Sequence, residues 1–394
     1  MTSKITNATA YAWVILAAVY LASIAAPLHQ YKAPPIMPVL MNQFQISLTQ
    51  AGFLMSSIAF TGLLLAFPAG FILQRLGAKV SGLIALGCMA GGAILGAASQ
   101  NFPLLAASRV IEGIGAGLIG VIAPATIAQW FPPRQQGAAM GIWATWAPVG
   151  SIVMFNTAPA LAENLGWRAV WWFGAGYTLL AALFYMLFIR QPPLQENQPV
   201  RQNPFAQAKD AFSSPSIWLL AASFACFNLV LVSFATYYPT FLHQELAYPL
   251  EKAAFYSSIA TIVILFSAPF AGWLSDRIGS RHLFLALPFL AIAILFFFPF
   301  RVSGWQIIVL MTLQGLLVGA IPTATFAATS EVMEKPEWAG LGLALILIGQ
   351  NLGQLIGPVI FGEAVRMSGW VFAGYTMIPF ALIGFLCAWK LRIR

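Results

Sequence analysis

The sequence predicts an all-α membrane protein, with twelve transmembrane helices arranged as two related six-helix bundles. Composition is the first observation behind this. Of 394 residues, 60% are hydrophobic and 8% are charged, whereas an ordinary soluble domain is roughly a quarter charged. The second observation is length. Apolar stretches long enough to cross a bilayer, about 20 residues each, recur from Tyr11 to the C-terminus with short polar breaks between them. Closed β-barrels also span membranes, but their strands alternate polar and apolar residues, and segments such as Val80–Ala98 and Leu283–Phe300 are apolar on every face. The third observation is an internal repeat, described below.

The predicted spans are 11–41, 49–75, 80–98, 103–131, 136–161 and 168–189 in the first half. Those in the second half are 215–242, 251–275, 282–300, 305–330, 337–363 and 369–389. The most hydrophilic stretch, Arg190–Ser214, contains Gln-Pro-Pro, Gln-Glu-Asn-Gln-Pro and Ser-Ser-Pro, a composition that resists packing into lipid. It divides the chain into an N-terminal bundle (1–189), a cytoplasmic linker (190–214) and a C-terminal bundle (215–394).

The net charge of +8 does not form a nucleic-acid-binding patch, because the basic residues are scattered one to three per connection. They follow topology instead. Thirteen of the 19 Lys/Arg lie in alternate connections: Lys4, Arg75, Lys79, Arg134, Arg190, Arg201, Lys209, Arg277, Arg281, Lys335, Lys390, Arg392 and Arg394. The other connections hold Arg168, Lys252, Arg301 and Arg366. By the positive-inside rule both termini and the linker are expected in the cytoplasm, in an inner membrane. No cleavable signal pattern precedes the first apolar stretch. Cys88, Cys226 and Cys387 sit inside spans at no metal-like spacing and read as packing residues. No metal or cofactor set and no nucleophile constellation is expected, so an enzyme is excluded.

The repeat joins the two halves. Phe67-Pro-Ala-Gly-Phe-Ile-Leu-Gln-Arg-Leu-Gly-Ala-Lys79 parallels Pro269-Phe-Ala-Gly-Trp-Leu-Ser-Asp-Arg-Ile-Gly-Ser-Arg281. The pairs Ala69/Ala271, Gly70/Gly272, Arg75/Arg277 and Gly77/Gly279 are each 202 positions apart, and Gly176-Tyr-Thr178 returns as Gly374-Tyr-Thr376. A duplicated six-span unit accounts for both.

At these residues the chain resembles the major facilitator superfamily, whose signature runs Gly-x-x-x-Asp-Arg-x-Gly-Arg-Arg/Lys. Gly272, Asp276, Arg277, Gly279 and Arg281 match it, and Gly70, Gln74, Arg75, Gly77 and Lys79 match it less fully. Arg109-Val-Ile-Glu112-Gly113-Ile-Gly115-Ala-Gly117 and Gly166-Trp167-Arg168 extend the resemblance across the chain. Within the family, Tyr31-Lys-Ala-Pro-Pro-Ile-Met-Pro38 is similar to the branch of cyanate permeases, nitrate/nitrite porters and organic anion transporters. The resemblance implies two bundles rocking about a midplane site. It also implies that the signature glycines and charges gate the motion, with Asp276 set against a helix end of the opposite half and Gln74 a weaker, uncharged counterpart.

Ionisable residues inside spans are costly and therefore mark candidate sites. His29, Gln30, Tyr31 and Lys32 precede Pro34, Pro35 and Pro38, which interrupt the helix. Lys32 has two readings: a cation facing a cavity, or a lysine snorkelling to the outer interface. Arg109 and Glu112, spaced i,i+3, are expected to pair on one helical face. Glu112 reads either as a proton-coupling carboxylate or as half of a structural ion pair. Trp143, Trp146, Asn228, Thr236, Tyr237, Gln314, Gln350, Asn351 and Gln354 complete the list of candidate substrate contacts, on spans that line the cavity in the family.

With its recognised charges net positive, the expected cargo is a small organic or inorganic anion such as a monocarboxylate, taken up with protons by a monomer in the lipid bilayer. Efflux of drugs or metabolites is the competing reading. Trp146-Ala147-Pro148-Val149-Gly150 is a partial match to the antiporter motif of the family.

Overall fold

The computed structural model describes residues 10–66, 68–190, 214–333 and 338–391, and among these the regular structure is helical. The linker from 191 to 213 and the basic residues Lys4, Arg201, Lys209, Lys335, Arg392 and Arg394 lie outside the described residues. The first half contains α1 (Ala10–Tyr31), α2 (Met37–Phe44), α3 (Leu48–Leu65), α4 (Pro68–Ala97), α5 (Phe102–Trp130), α6 (Pro133–Ala144), α7 (Trp146–Leu165) and α8 (Trp167–Phe188). The second half contains α9 (Pro215–Gln244), α10 (Leu250–Ile278), α11 (Arg281–Leu295), α12 (Trp305–Val318), α13 (Ala320–Val332) and α14 (Ala339–Trp389).

Local chemistry sets the helix ends. Ser47 caps α3 in a reciprocal box: its hydroxyl accepts from the Gln50 amide at 3.3 Å, and its own amide donates to Gln50 Oε1 at 2.9 Å. Asn101 caps α5 by accepting from the Leu104 amide at 3.0 Å. Two long helices bend at glycines with positive φ, Gly77 in α4 (φ 72°) and Gly369 in α14 (φ 82°). At 1.5 Å per residue the 51 residues of α14 measure about 75 Å, enough for two crossings, and Gly369 separates them.

Ten described helical segments are long and apolar enough to cross a membrane; taking the one ending at Trp389 as two and adding the shorter Arg281–Leu295 accommodates the expected twelve crossings. Four spans differ in detail from the sequence expectation. The second is interrupted at Ala66, and Pro68 opens α4. The fifth is split at Thr145 into α6 and α7, and the tenth at Gly319 into α12 and α13. At Gly319 a Cβ would come within 2.3 Å of Ser267 Oγ, so α10 can approach only because the position is glycine. The ninth ends at Leu295, where Phe297 and Phe298 donate to Ile294 and Leu295 carbonyls in tight turns. Large apolar side chains such as Leu180 and Phe266 stay exposed, as suits a surface solvated by hydrocarbon.

Small residues let the helices pack closely. A Cβ on Gly115 would lie 2.2 Å from the Ala85 carbonyl oxygen of α4. Across the halves, α3 lies along α14: a Cβ on Gly52 would lie 2.6 Å from Pro358 O, and one on Gly62 2.4 Å from Asn351 Oδ1. Hydrogen bonds tie the halves at the same end. Thr49 Oγ1 donates to Glu363 Oε2 at 2.7 Å, Ser56 donates to Leu355 O, and the Tyr237 hydroxyl sits 2.7 Å from Leu48 O and 3.0 Å from Pro358 O. Asn156 of α7 reaches Ser258 of α10 at 3.3 Å. The halves are thus joined at the end that carries Leu48 and Glu363.

Overpacking a close helix contact costs about 1–3 kcal/mol. Gly115→Val should therefore lower the thermal unfolding midpoint of the purified protein in detergent. Gly87→Val, on the same helical pair but with open space around its Cβ position, should leave it nearly unchanged.

Candidate functional site

The first crossing breaks where the prolines fall. An α-helix needs the amide of residue 34 to satisfy the carbonyl of residue 30, and Pro34 has no N–H. The chain turns through a short 3-10 segment, Pro34–Ile36, before α2 resumes. The carbonyl left free by Pro34 is taken by Arg109 of α5, whose Nη2 donates to Gln30 O at 3.0 Å while Nη1 donates to His29 O. A guanidinium, with several donors in a planar fork, suits this double task.

The same guanidinium anchors a charged cluster. Arg109 Nη1 donates to Glu112 Oε2 at 2.7 Å, one helical turn on, and the ammonium of Lys32 donates to Glu112 Oε1. Lys32 Nζ also lies 3.1 Å from His29 Nδ1 and 4.6 Å above the Trp171 ring. His29 Nδ1 is 3.5 Å from Glu112 Oε1, and its Nε2 is 2.7 Å from Thr178 Oγ1. His29, Lys32, Arg109 and Glu112 each have 0% of their surface exposed. Room for the carboxylate comes from Gly92 of α4, where a Cβ would lie 2.7 Å from Glu112 Cγ. Two cations against one carboxylate leave one net positive charge inside the first half, a burial tolerated only because each ion is hydrogen-bonded.

Next to this cluster, a chain of amides crosses between the halves. Gln30 Nε2 donates to Gln354 Oε1 at 3.1 Å, Gln354 Nε2 donates to Asn228 Oδ1 at 3.1 Å, and Asn228 Nδ2 donates to Phe224 O at 2.9 Å. The last turn of α1 is thereby joined to α14 and to the middle of α9.

The other expected contacts distribute differently. Trp143 and Trp146 stack with ring centroids 5.6 Å apart, and Trp143 Nε1 donates to Ser23 Oγ at 2.9 Å. Tyr31 lies against Phe155 at 6.2 Å. Tyr237 belongs to the closure at the Glu363 end, and Thr236 is buried with its hydroxyl on Val232 O. Gln314 lies inside the second half among Phe227, Phe289 and Phe296, its Oε1 without a partner. Gln350 and Asn351 are half-buried, Asn351 beside Gly62. In this conformation Lys32 is fully buried and does not snorkel outward, because Glu112 draws its ammonium into the bundle. Thr178 and Trp171 were missed as site residues; the Gly-Tyr-Thr repeat marked Thr178 only as a sign of duplication. Among the described residues no His/Cys/Asp/Glu group is placed to hold a metal ion.

The signature residues occupy the connections at the opposite end from Glu363. Asp276 pairs with Arg281 at 3.2 Å, and Arg281 reaches Glu331, so in this conformation the acid is bound within its own half rather than to the other. Gly279 is left-handed (φ 70°) and its amide closes α10 onto Ser275 O at 3.0 Å. Gly272 lets Thr323 approach to 3.0 Å of its Cβ position, and Arg277 lies over Trp273 at 5.4 Å. In the first copy Gln74 and Arg75 are exposed, Gly70 has open space around it, and Gly77 makes the turn.

Removing one partner of a buried ion pair costs about 3–5 kcal/mol when it strands a charge. Glu112→Gln strands two cations, whereas Lys32→Met leaves the Arg109–Glu112 pair intact. Thermal unfolding in detergent should show Glu112→Gln far less stable than Lys32→Met; equal midpoints would contradict the charge balance described here.

Comparison with known proteins places this geometry in a family. The profile of the Major Facilitator Superfamily matches residues 19–304 and 253–394. The chain is 22% identical over 374 residues to the hexuronate transporter of Bacillus subtilis, covering 88% of this chain and 86% of that protein. It is 23% identical over 372 residues to the probable sulfoacetate transporter SauU of Cupriavidus necator (88% and 85%), and 28% identical over 320 residues to the multidrug resistance protein MdtG of Enterobacter lignolyticus (78% and 74%). Among solved structures, the D-xylose-proton symporter superposes with a TM-score of 0.81 at 16% identity, over 97% of this chain and 98% of that one. A bacterial homologue of the human lysosomal transporter Spinster, in an inward-facing, unoccupied conformation, superposes at 0.79 and 18%, with the same coverage. The chain is a multi-pass membrane transporter of the Major Facilitator Superfamily.

Proposed function

We propose that the chain is a secondary transporter that works by alternating access and takes up a small anion together with protons. The observation that carries this reading is the buried cluster of His29, Lys32, Arg109 and Glu112, with its single excess positive charge, fastened by Arg109 to the two carbonyls behind Gln30. Gln30 in turn stands in the amide chain between the halves. A solute anion bound beside Gln30 and Gln354 lies next to that charge, and the unbalanced cation favours it. The hexuronate and sulfoacetate transporters among the relatives support an organic anion as cargo.

In this reading the bundles are 1–189 and 215–394, the termini and the linker face the cytoplasm, and the protein acts as a monomer in the inner membrane. The joined end that carries Glu363 is then external, and the conformation is open to the cytoplasm. Release of Asp276 from Arg281 to the opposite half accompanies the outward-open state.

Drug efflux is the second reading, favoured by the 28% identity to the multidrug resistance protein. Gly150, the glycine that completes the partial antiporter motif, has a packing explanation: a Cβ there would lie 2.5 Å from Pro27 Cγ of α1.

In proteoliposomes with an acid exterior, labelled glucuronate or sulfoacetate should accumulate, and Lys32→Gln should reduce that accumulation at least about tenfold, a loss of about 1.4 kcal/mol. Absence of uptake of either anion, with gradient-dependent extrusion of ethidium, would replace this reading with efflux.

A further inference from the structure

We propose that the coupled proton is taken by His29, at Nδ1, rather than by Glu112, and that the buried charge restricts the cycle to one proton per monovalent anion. The stoichiometry rests on the anion reading above; the proton site does not.

Hydrogen-bond accounting fixes the tautomer. The Thr178 hydroxyl has one hydrogen, and it donates that to Gly174 O at 2.8 Å. Its contact with His29 Nε2 at 2.7 Å is therefore one it accepts, so Nε2 carries the imidazole proton. Nδ1 is left as a lone pair facing Lys32 Nζ at 3.1 Å. Glu112 is the counter-charge of both cations, Oε1 meeting Lys32 and Oε2 meeting Arg109. A proton on the carboxylate would strip both buried cations of their counter-charge, whereas a proton on Nδ1 displaces only the Lys32 contact there, leaves Glu112 ionised and points an N–H toward Oε1 from 3.5 Å. His29 and Lys32 thus compete for one oxygen.

The groups that face His29 are few. Its own segment supplies Lys32, α5 supplies Arg109 and Glu112, and α8 supplies only the neutral Thr178, Gly174 and Trp171. α4 approaches the cluster with Gly92. With His29 neutral the cluster carries one positive charge, and with His29 protonated it carries two. A monoanion beside Gln30 restores the original balance, so proton and anion bind together more readily than either does alone. The proton comes from the medium and leaves with the anion on the other side; no bond other than N–H forms or breaks.

The chain has three histidines, so imidazole nitrogen NMR on histidine-labelled protein resolves His29 as the signal missing from His29→Gln. At about pH 7 the parent should show a neutral Nε2–H imidazole. At the same pH Lys32→Met, which removes the competing cation, should show His29 protonated on Nδ1. A neutral Nδ1–H tautomer in the parent, or a neutral His29 in Lys32→Met, would overturn the assignment. With a pH indicator in weak buffer, the monoanion glucuronate should draw one proton per bound anion into the parent and none into His29→Gln; equal uptake in both would also overturn it. Should glucuronate not bind while the NMR behaves as expected, the anion reading fails and the proton site stands.

Discussion

A single carboxylate holding two cations inside the membrane is the interaction on which the rest of this site depends. Lys32 and Arg109 come from different spans, and each is fully buried. Neither ion is tolerable in that setting alone, because the desolvation of an unpaired charge costs several kcal/mol. Glu112 makes both tolerable, and in doing so fixes the end of α1 against α5. Its demands spread outward. Gly92 must be glycine so that α4 can close over it, and Trp171 supplies the ring beneath the ammonium.

The second consequence is mechanical. Pro34 deprives a carbonyl of its helical donor, and the guanidinium that balances Glu112 also supplies the missing hydrogen bond. Electrostatics and backbone geometry therefore meet in one side chain. A change in the cluster's charge acts on the backbone at His29 and Gln30, and Gln30 is the residue whose side chain spans to Gln354 and Asn228 in the other half. This places inter-half contact (Gln30), charge (Lys32) and helix break (Pro34) within four residues of one another along the chain.

Much of this was legible in the sequence, and the unread parts share a cause. The apolar spans and the Arg109–Glu112 pair follow from local pattern within one helix, and the pair appears where its i,i+3 spacing puts it; the repeat follows from comparing two segments of the chain. The partner of Lys32 lies 80 positions away, and no local spacing reveals which way an ammonium near a helix break turns. The broken fifth and tenth spans were missed because Thr145 and Gly319 are unremarkable in composition; only the approach of α10 shows why Gly319 is needed. Asp276 matched the signature well, yet its partner in this conformation is Arg281, five positions on within the same motif, because the acid's alternative partner depends on how the halves are tilted. Residue type and span number point alike to Tyr237 and Gln314, yet one lies in the closure and the other inside the second half.

The claim at the centre of this account is that Glu112 is ionised within the bilayer and shared between Lys32 and Arg109. Infrared difference spectroscopy of the parent against Glu112→Gln reads this directly. The account predicts that the parent shows, and the variant lacks, the paired stretches of an ionised carboxylate. Loss instead of the carbonyl stretch of a protonated carboxylic acid would contradict it, because a neutral Glu112 could not hold two cations.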